Sequence, residues 1–162
     1  MCLFFKEEEA SVTEGRSTKK VALEIGNALH VDASQEGVAP FLFVANTLVS
    51  MYGKCGAVRE AEEAFFASDQ HDIILWTSML CAYVENGEAE KTLLLYRQMN
   101  YEGVSLDEYS LMFLLQACTD LAEKEEVSSF AGQSSMKIAL EIGQALHSFA
   151  RKERFMEDLF VG

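Results

Sequence analysis

The chain has 162 residues, enough for one domain, and 49% hydrophobic content with ten glycines and a single proline suits a folded helical protein rather than a disordered one. Its net charge is −13, and the acid excess is spread along the chain with no basic segment. Long-range attraction to nucleic acid or anionic lipid therefore finds no support in composition, and binding to a polyanion would need a local face of its own.

The chain begins MCLFFKEEEASV, a short apolar patch followed at once by acids. A secretory signal runs from basic to apolar, and a transit peptide is acid-poor and arginine-rich, so neither is read here. No run approaches membrane-spanning length, and no membrane association is expected. Residues 1–41 read as a flexible acidic N-terminal segment leading into part of a helical hairpin. The reason lies far along the chain, because KEEEASVTEGRSTKKVALEIGNALH aligns with EKEEVSSFAGQSSMKIALEIGQALH when His30 is laid on His147, a shift of 117. Under the same shift LFVA at 42–45 meets LFVG at 159–162.

Residues 42–72 and 73–107 form two copies of one shorter unit. A shift of 31 pairs Asn46 with Thr77, Leu48 with Met79, Tyr52 with Tyr83, Gly56 with Gly87 and Phe65 with Tyr96. Apolar residues recur at helical spacing on both sides of each glycine, for example Val44, Leu48, Tyr52 and then Val58, Ala61, Phe65. That pattern reads as helix, glycine turn, helix. Lys54-Cys55-Gly56 ends the first helix, Arg59 to Glu63 makes a solvated face, and Gly103 stops the second hairpin. Trp76 is most simply a packing residue between neighbouring hairpins.

Residues 108–158 form a third, longer hairpin. Leu111, Leu114, Leu115 and Cys118 are expected on its buried side, and Ile138, Ile142, Leu146 and Phe149 resume the pattern. Between them lies a polar, serine-rich insertion, read as a flexible loop at about 122–135. Units of 31, 35 and 51 residues together make the 117-residue period, and residues 159–162 start a further copy of the first unit. Cys2, Cys55, Cys81 and Cys118 are widely spaced, with no paired cysteines and no histidine at metal-ligand spacing. They read as reduced thiols, and no metal or cofactor is expected.

One hairpin cannot bury its apolar stripe alone, whereas stacked neighbours can. The fold class expected is all-α, a right-handed α-α solenoid of stacked antiparallel helical hairpins. Neither end offers a polar cap, so the chain is expected to be a fragment of a longer array, with self-association through uncapped ends.

The residues LFVANTLVSMYGKCGAVREAEEAFF and DIILWTSMLCAYVENGEAEKTLLLYRQMNYEGVSLD resemble pentatricopeptide repeats. Residues 42–72, 73–107 and 108–158 are similar to the short, standard and long units that alternate in the plant organelle branch of that family. The long unit departs from the pattern through its insertion, and Leu106 stands where the standard unit usually has proline. The resemblance implies single-stranded RNA as partner, read one base per repeat by two or three side chains. It further implies editing or processing proteins as partners, and a mitochondrial or chloroplast location. Carried over residue by residue, it assigns base reading to Asn46 with Asp72, Thr77 with Asp107 and Met112 with Asp158, and base flanking to Phe43, Ile74 and Tyr109.

Part of that assignment has its own chemistry. A carboxylate only accepts hydrogen bonds, so aspartate suits guanine and uracil, whose pairing edges present a ring N–H. Asparagine reaches a small pyrimidine and threonine leaves room for a purine. Uracil is thus expected opposite Asn46 and Asp72, and guanine opposite Thr77 and Asp107, in that 5′ to 3′ order on a strand parallel to the repeats. Met112 has no good hydrogen bond to offer. Taken alone, Asp72 and Asp107 equally fit helix N-caps, Asn46 and Thr77 polar surface, and Phe43, Ile74 and Tyr109 inter-repeat packing. A tetratricopeptide-like protein-binding scaffold is the alternative function. No catalytic constellation is read, and the H-x-E and P-C-x-x-C elements of a cytidine deaminase are missing from this sequence.

Overall fold

A computed structural model describes the backbone of residues 4–127 and of Leu140, Gly143, Gln144 and His147, with side chains described from Thr18 to Glu123 and at those four positions. Leu140, Gly143, Gln144 and His147 are helical, as expected for part of a second helix over 138–149, whereas Ile138, Ile142, Leu146, Phe149, Asp158 and the copy begun at 159 lie outside the described residues. All regular structure among the described residues is helical: α1 (Phe4–Gln35), α2 (Leu42–Cys55), α3 (Val58–Ala67), α4 (Ile73–Glu85), α5 (Ala89–Tyr101) and α6 (Glu108–Val127). None of them is long and apolar enough to cross a membrane.

Four helices end in the same way, and the sequence dictates it. Gly37, Gly56, Gly87 and Gly103 all adopt positive φ, between 70° and 81°. At each, the residue that follows donates its N–H to a carbonyl five positions back: Val38 to Ala33, Ala57 to Tyr52, Glu88 to Tyr83 and Val104 to Met99. This is the Schellman ending, in which a left-handed residue lets the chain turn back and satisfies carbonyls the helix leaves open. The turns at Gly56 and Gly87 therefore fold α2 against α3 and α4 against α5, the expected hairpins.

The hairpins stack in register. α2 packs on α4 and α4 on α6 to form one layer, α5 packs on α6, α3 bridges to α4, and α1 lies against α2. The architecture is thus an all-α solenoid of stacked hairpins. Its core runs through the layers, with Tyr52, Phe65, Leu75, Trp76, Met79, Leu80, Met99 and Leu114 at most 1% exposed. Trp76 is the packing residue the sequence suggests, meeting the Phe65 ring edge-on at 5.0 Å between centroids. α2 and α4 cross so closely that a Cβ on Gly53 would lie 2.7 Å from the Ala82 Cβ. The Asn86 amide locks the crossing, Nδ2 donating to the carbonyls of Gly53 (2.9 Å) and Ala82 (2.7 Å).

Four expectations are corrected. The acidic N-terminal segment is not a loose arm, since backbone from Phe4 onward is helical as part of α1. The stretch FFKEEEA is made of helix-compatible residues without proline, and nothing in it stops the helix. The loop placed at about 122–135 does not begin at 122, because α6 runs on to Val127. Ala122 to Glu126 are strong helix formers, and Leu121, 4% exposed, anchors that turn to the core. Leu115 is 40% exposed, while Ala117 and Leu121 complete the buried side of α6 instead. Finally, the Arg59 to Glu63 face is only partly solvated. Arg59 and Glu63 pair on the surface at 3.1 Å, whereas Glu62 turns toward the next hairpin and accepts hydrogen bonds from Tyr83 Oη (2.9 Å) and Lys91 Nζ (3.0 Å).

Candidate nucleic-acid interface

The layer formed by α2, α4 and α6 carries the candidate residues, because each helix opens its unit and presents the same register positions. A groove of about 540 Å³ runs along it, walled by Ser50, Gly53 and Lys54 of α2, by Ile74, Thr77, Ser78, Cys81, Ala82 and Glu85 of α4, and by Asp107, Tyr109 and Phe113 at the start of α6. Ile74, Thr77, Asp107 and Tyr109, spread over 36 residues of sequence, are thereby brought to one site. Phe43, Asn46, Asp72 and Met112 do not wall that groove.

The apolar candidates face outward. Phe43 is 87% exposed, Ile74 60% and Tyr109 58%. Inter-repeat packing does not explain exposure of that order, least of all for Phe43. Met112, in register with Asn46 and Thr77, is 53% exposed and has only a thioether to present.

The two aspartates do cap helices, and the manner leaves part of each carboxylate over. Asp72 Oδ1 accepts the N–H of Leu75 at 2.8 Å. Asp107 Oδ1 accepts from the N–H (2.8 Å) and hydroxyl (2.7 Å) of Ser110, and Ser110 Oγ accepts the Asp107 N–H in return at 2.9 Å. That reciprocal pair buries Ser110 completely. In both residues these bonds engage Oδ1, leaving Oδ2 as a further acceptor at the edge of the layer.

Asn46 and Thr77 are half-buried, and their oxygens turn inward. Asn46 Oδ1 and Thr77 Oγ1 are shielded from solvent and have no hydrogen-bond partner. Thr77 is unusual in this. Thr47, Thr92 and Thr119 each return the hydroxyl to the carbonyl four residues back, at 2.8 to 3.1 Å, as helical threonines commonly do. A shielded, unpaired oxygen costs about 1–3 kcal/mol, and the two described here occupy equivalent positions of consecutive units.

Electrostatics differ along the groove. Lys54 and Glu85 stand at its far end, in positions related by the 31-residue shift, and both act on the Cys81 thiol between them. Burial chiefly, and then Glu85, push that thiol up to about 11, and Lys54 partly opposes them. Cys81 is therefore a protonated, unreactive wall residue. Sequence reasoning missed Ser50, Lys54, Ser78 and Glu85 as groove residues. The signal available was helical spacing, Ser50 and Lys54 standing four and eight residues after Asn46, Glu85 eight after Thr77, and Ser78 four after Ile74.

Comparison with known proteins matches these units. The family described as PPR repeat covers residues 43–67 and 74–104. A mitochondrial pentatricopeptide repeat-containing protein of Arabidopsis thaliana is 29% identical over 168 residues, spanning 98% of this chain and 15% of the relative, and the two relatives that follow are from the same organism. A second pentatricopeptide repeat-containing protein is 32% identical over 139 residues, 84% of this chain and 19% of the relative. A chloroplastic one is 31% identical over 121 residues, 75% of this chain and 14% of the relative. The chain thus spans less than a fifth of the length of these relatives. Unit length, glycine-closed hairpins and a shared inner register all agree with those matches, and the chain belongs to the pentatricopeptide repeat family.

Proposed function

We propose that the α2, α4, α6 layer binds single-stranded RNA, one nucleotide per hairpin. Asp107 accepts the ring N–H of guanine, with Thr77 leaving space for the purine, and Ile74 and Tyr109 flank the base. Asp72 and Asn46 take uracil in the preceding unit, beside Phe43. Met112 and Asp158 complete the third unit, which selects weakly because Met112 lacks a suitable hydrogen bond. The observation that carries this reading is the groove that joins Ile74, Thr77, Asp107 and Tyr109, with two outward apolar side chains beside a carboxylate.

Stacking contributes about 1–3 kcal/mol per base. With net charge −13, little electrostatic attraction adds to that, and an affinity of micromolar or weaker, about −8 kcal/mol, is expected. Residues 42–72, 73–107 and 108–158 act as short, standard and long units of an RNA-processing or editing factor, by the names of the relatives in a mitochondrion or chloroplast.

The test is a binding series on short RNAs varied at the two positions, using wild type and Thr77→Asn. Wild type is expected to prefer guanine at the second position, and Thr77→Asn to shift that preference to uracil. An unchanged preference in the variant refutes the two-residue assignment. Tyr109→Ala is expected to weaken binding about tenfold, the equivalent of one lost stacking contact, with no change in melting temperature.

A further inference from the structure

Beyond the base edge, the groove carries a charge reversal. Lys54, in the last turn of α2, and Glu85, the last residue of α4, occupy positions related by the 31-residue shift, and both wall the same groove. They stand beside the tight contact of the two helices where Gly53 meets Ala82. Glu85 has no ion pair: among the described residues the salt bridges are Arg59 with Glu63 and Lys91 with Glu62. It is exposed, so its charge acts on whatever enters. With Asp107 at the opposite end, the charged groups of the groove are one cation and two anions.

We infer that Glu85 is an affinity-limiting residue of this groove, a carboxylate that repels the phosphates of a bound nucleic-acid strand and competes with them for the Lys54 ammonium. This rests on the RNA reading and adds to it a residue that sets strength without setting base choice. The two functions are separated along α4. Thr77 lies two helical turns from Glu85, about 12 Å along the axis. A charge at that distance acts on the strand's backbone, common to all sequences, and not on one base edge.

The experiment compares wild type with Glu85→Gln, Glu85→Lys and, as a control of equal charge change away from the groove, Glu90→Gln on α5. The probes are a short single-stranded RNA carrying adjacent uracil and guanine and the same RNA with both bases exchanged, each titrated across a salt series. Glu85→Gln is expected to tighten binding of both RNAs about threefold at low salt, an effect that fades as salt screens it. Glu85→Lys is expected to tighten it further and to steepen the salt dependence by about 0.7 in log K against log salt, one added phosphate contact on a single strand. Glu90→Gln is expected to change little. The inference is overturned if wild type shows its base preference and the Glu85 variants bind no tighter, if Glu90→Gln matches Glu85→Gln, or if tightening is confined to one RNA. Absence of binding to either RNA by wild type and every variant removes the RNA reading and this inference together, whereas binding gained only by Glu85→Lys supports it.

Discussion

Replacing Gly53 with alanine probes how tightly the units are stacked. The new Cβ would sit 2.7 Å from the Ala82 Cβ and 3.1 Å from its Cα, both on the facing helix and neither able to rotate away. α2 and α4 must separate, and the Asn86 Nδ2 bond to the Gly53 carbonyl, now 2.9 Å, lengthens with them. Overpacking of this kind costs about 1–3 kcal/mol, and a stretched hydrogen bond adds about 0.5–1.5 kcal/mol. Alanine's better helix propensity offsets at most about 1 kcal/mol. With that offset taken in full, the net expectation is a loss of about 0.5–3.5 kcal/mol, at about 2–4 °C of melting temperature per kcal/mol for a chain of this length. Gly26 on α1 supplies the contrast. A Cβ there meets only the flexible end of the Met51 side chain, so Gly26→Ala is expected to be near neutral. Thermal and urea melts followed by circular dichroism measure both. If Gly53→Ala proves as stable as wild type while Gly26→Ala loses stability, the close crossing does not hold the layer together as argued.

Asp72 separates capping from reading. Asp72→Ala should lose about 1 kcal/mol of stability with the Leu75 N–H bond, whereas Asp72→Asn keeps a capping oxygen and should melt like wild type while losing preference for uracil. Parallel loss of RNA selectivity and stability in both variants would leave Asp72 a cap only. High pH tests the Tyr83 tie to Glu62. Burial first, then the hydrogen bond and charge of Glu62, raise the Tyr83 hydroxyl above its ordinary 10.0, and burial likewise raises Tyr52. The unfolded chain releases these protons at lower pH than the folded one, so stability is intact below about pH 9 and falls as pH rises past 9 to 10, with Cys81 contributing first. Tyr83→Phe should cost about 1 kcal/mol at neutral pH and shallow the alkaline loss; an unaltered slope in denaturant titrations would exclude Tyr83 as its source.

The hairpins were legible because their determinants are local. A 31-residue shift aligning Tyr52 with Tyr83 and Gly56 with Gly87 needs only helical periodicity and glycine's access to positive φ, and the structure supplies both. Trp76 was legible for the same reason, being large and apolar on an inward stripe. Glu62 was not, since its partners Tyr83 and Lys91 lie 21 and 29 residues away and only stacking brings them near. The ends of α1 and α6 misled because a run of acids looks like solvated loop, yet the same residues propagate a helix well when nothing breaks it. At the candidate site, register could be read from the repeat, but the shielding of the Asn46 and Thr77 oxygens could not, because it depends on how the stacked helices enclose them.

On the proposed RNA reading, the caps at Asp72 and Asp107 bear on selectivity. Each carboxylate is immobilised when its helix forms, so the rotational freedom that a surface aspartate surrenders on meeting a ligand is already gone before one arrives. Discrimination by such a group does not draw on the overall strength of association. On that reading, an acidic stretch of repeats holds its ligand loosely and still chooses sharply.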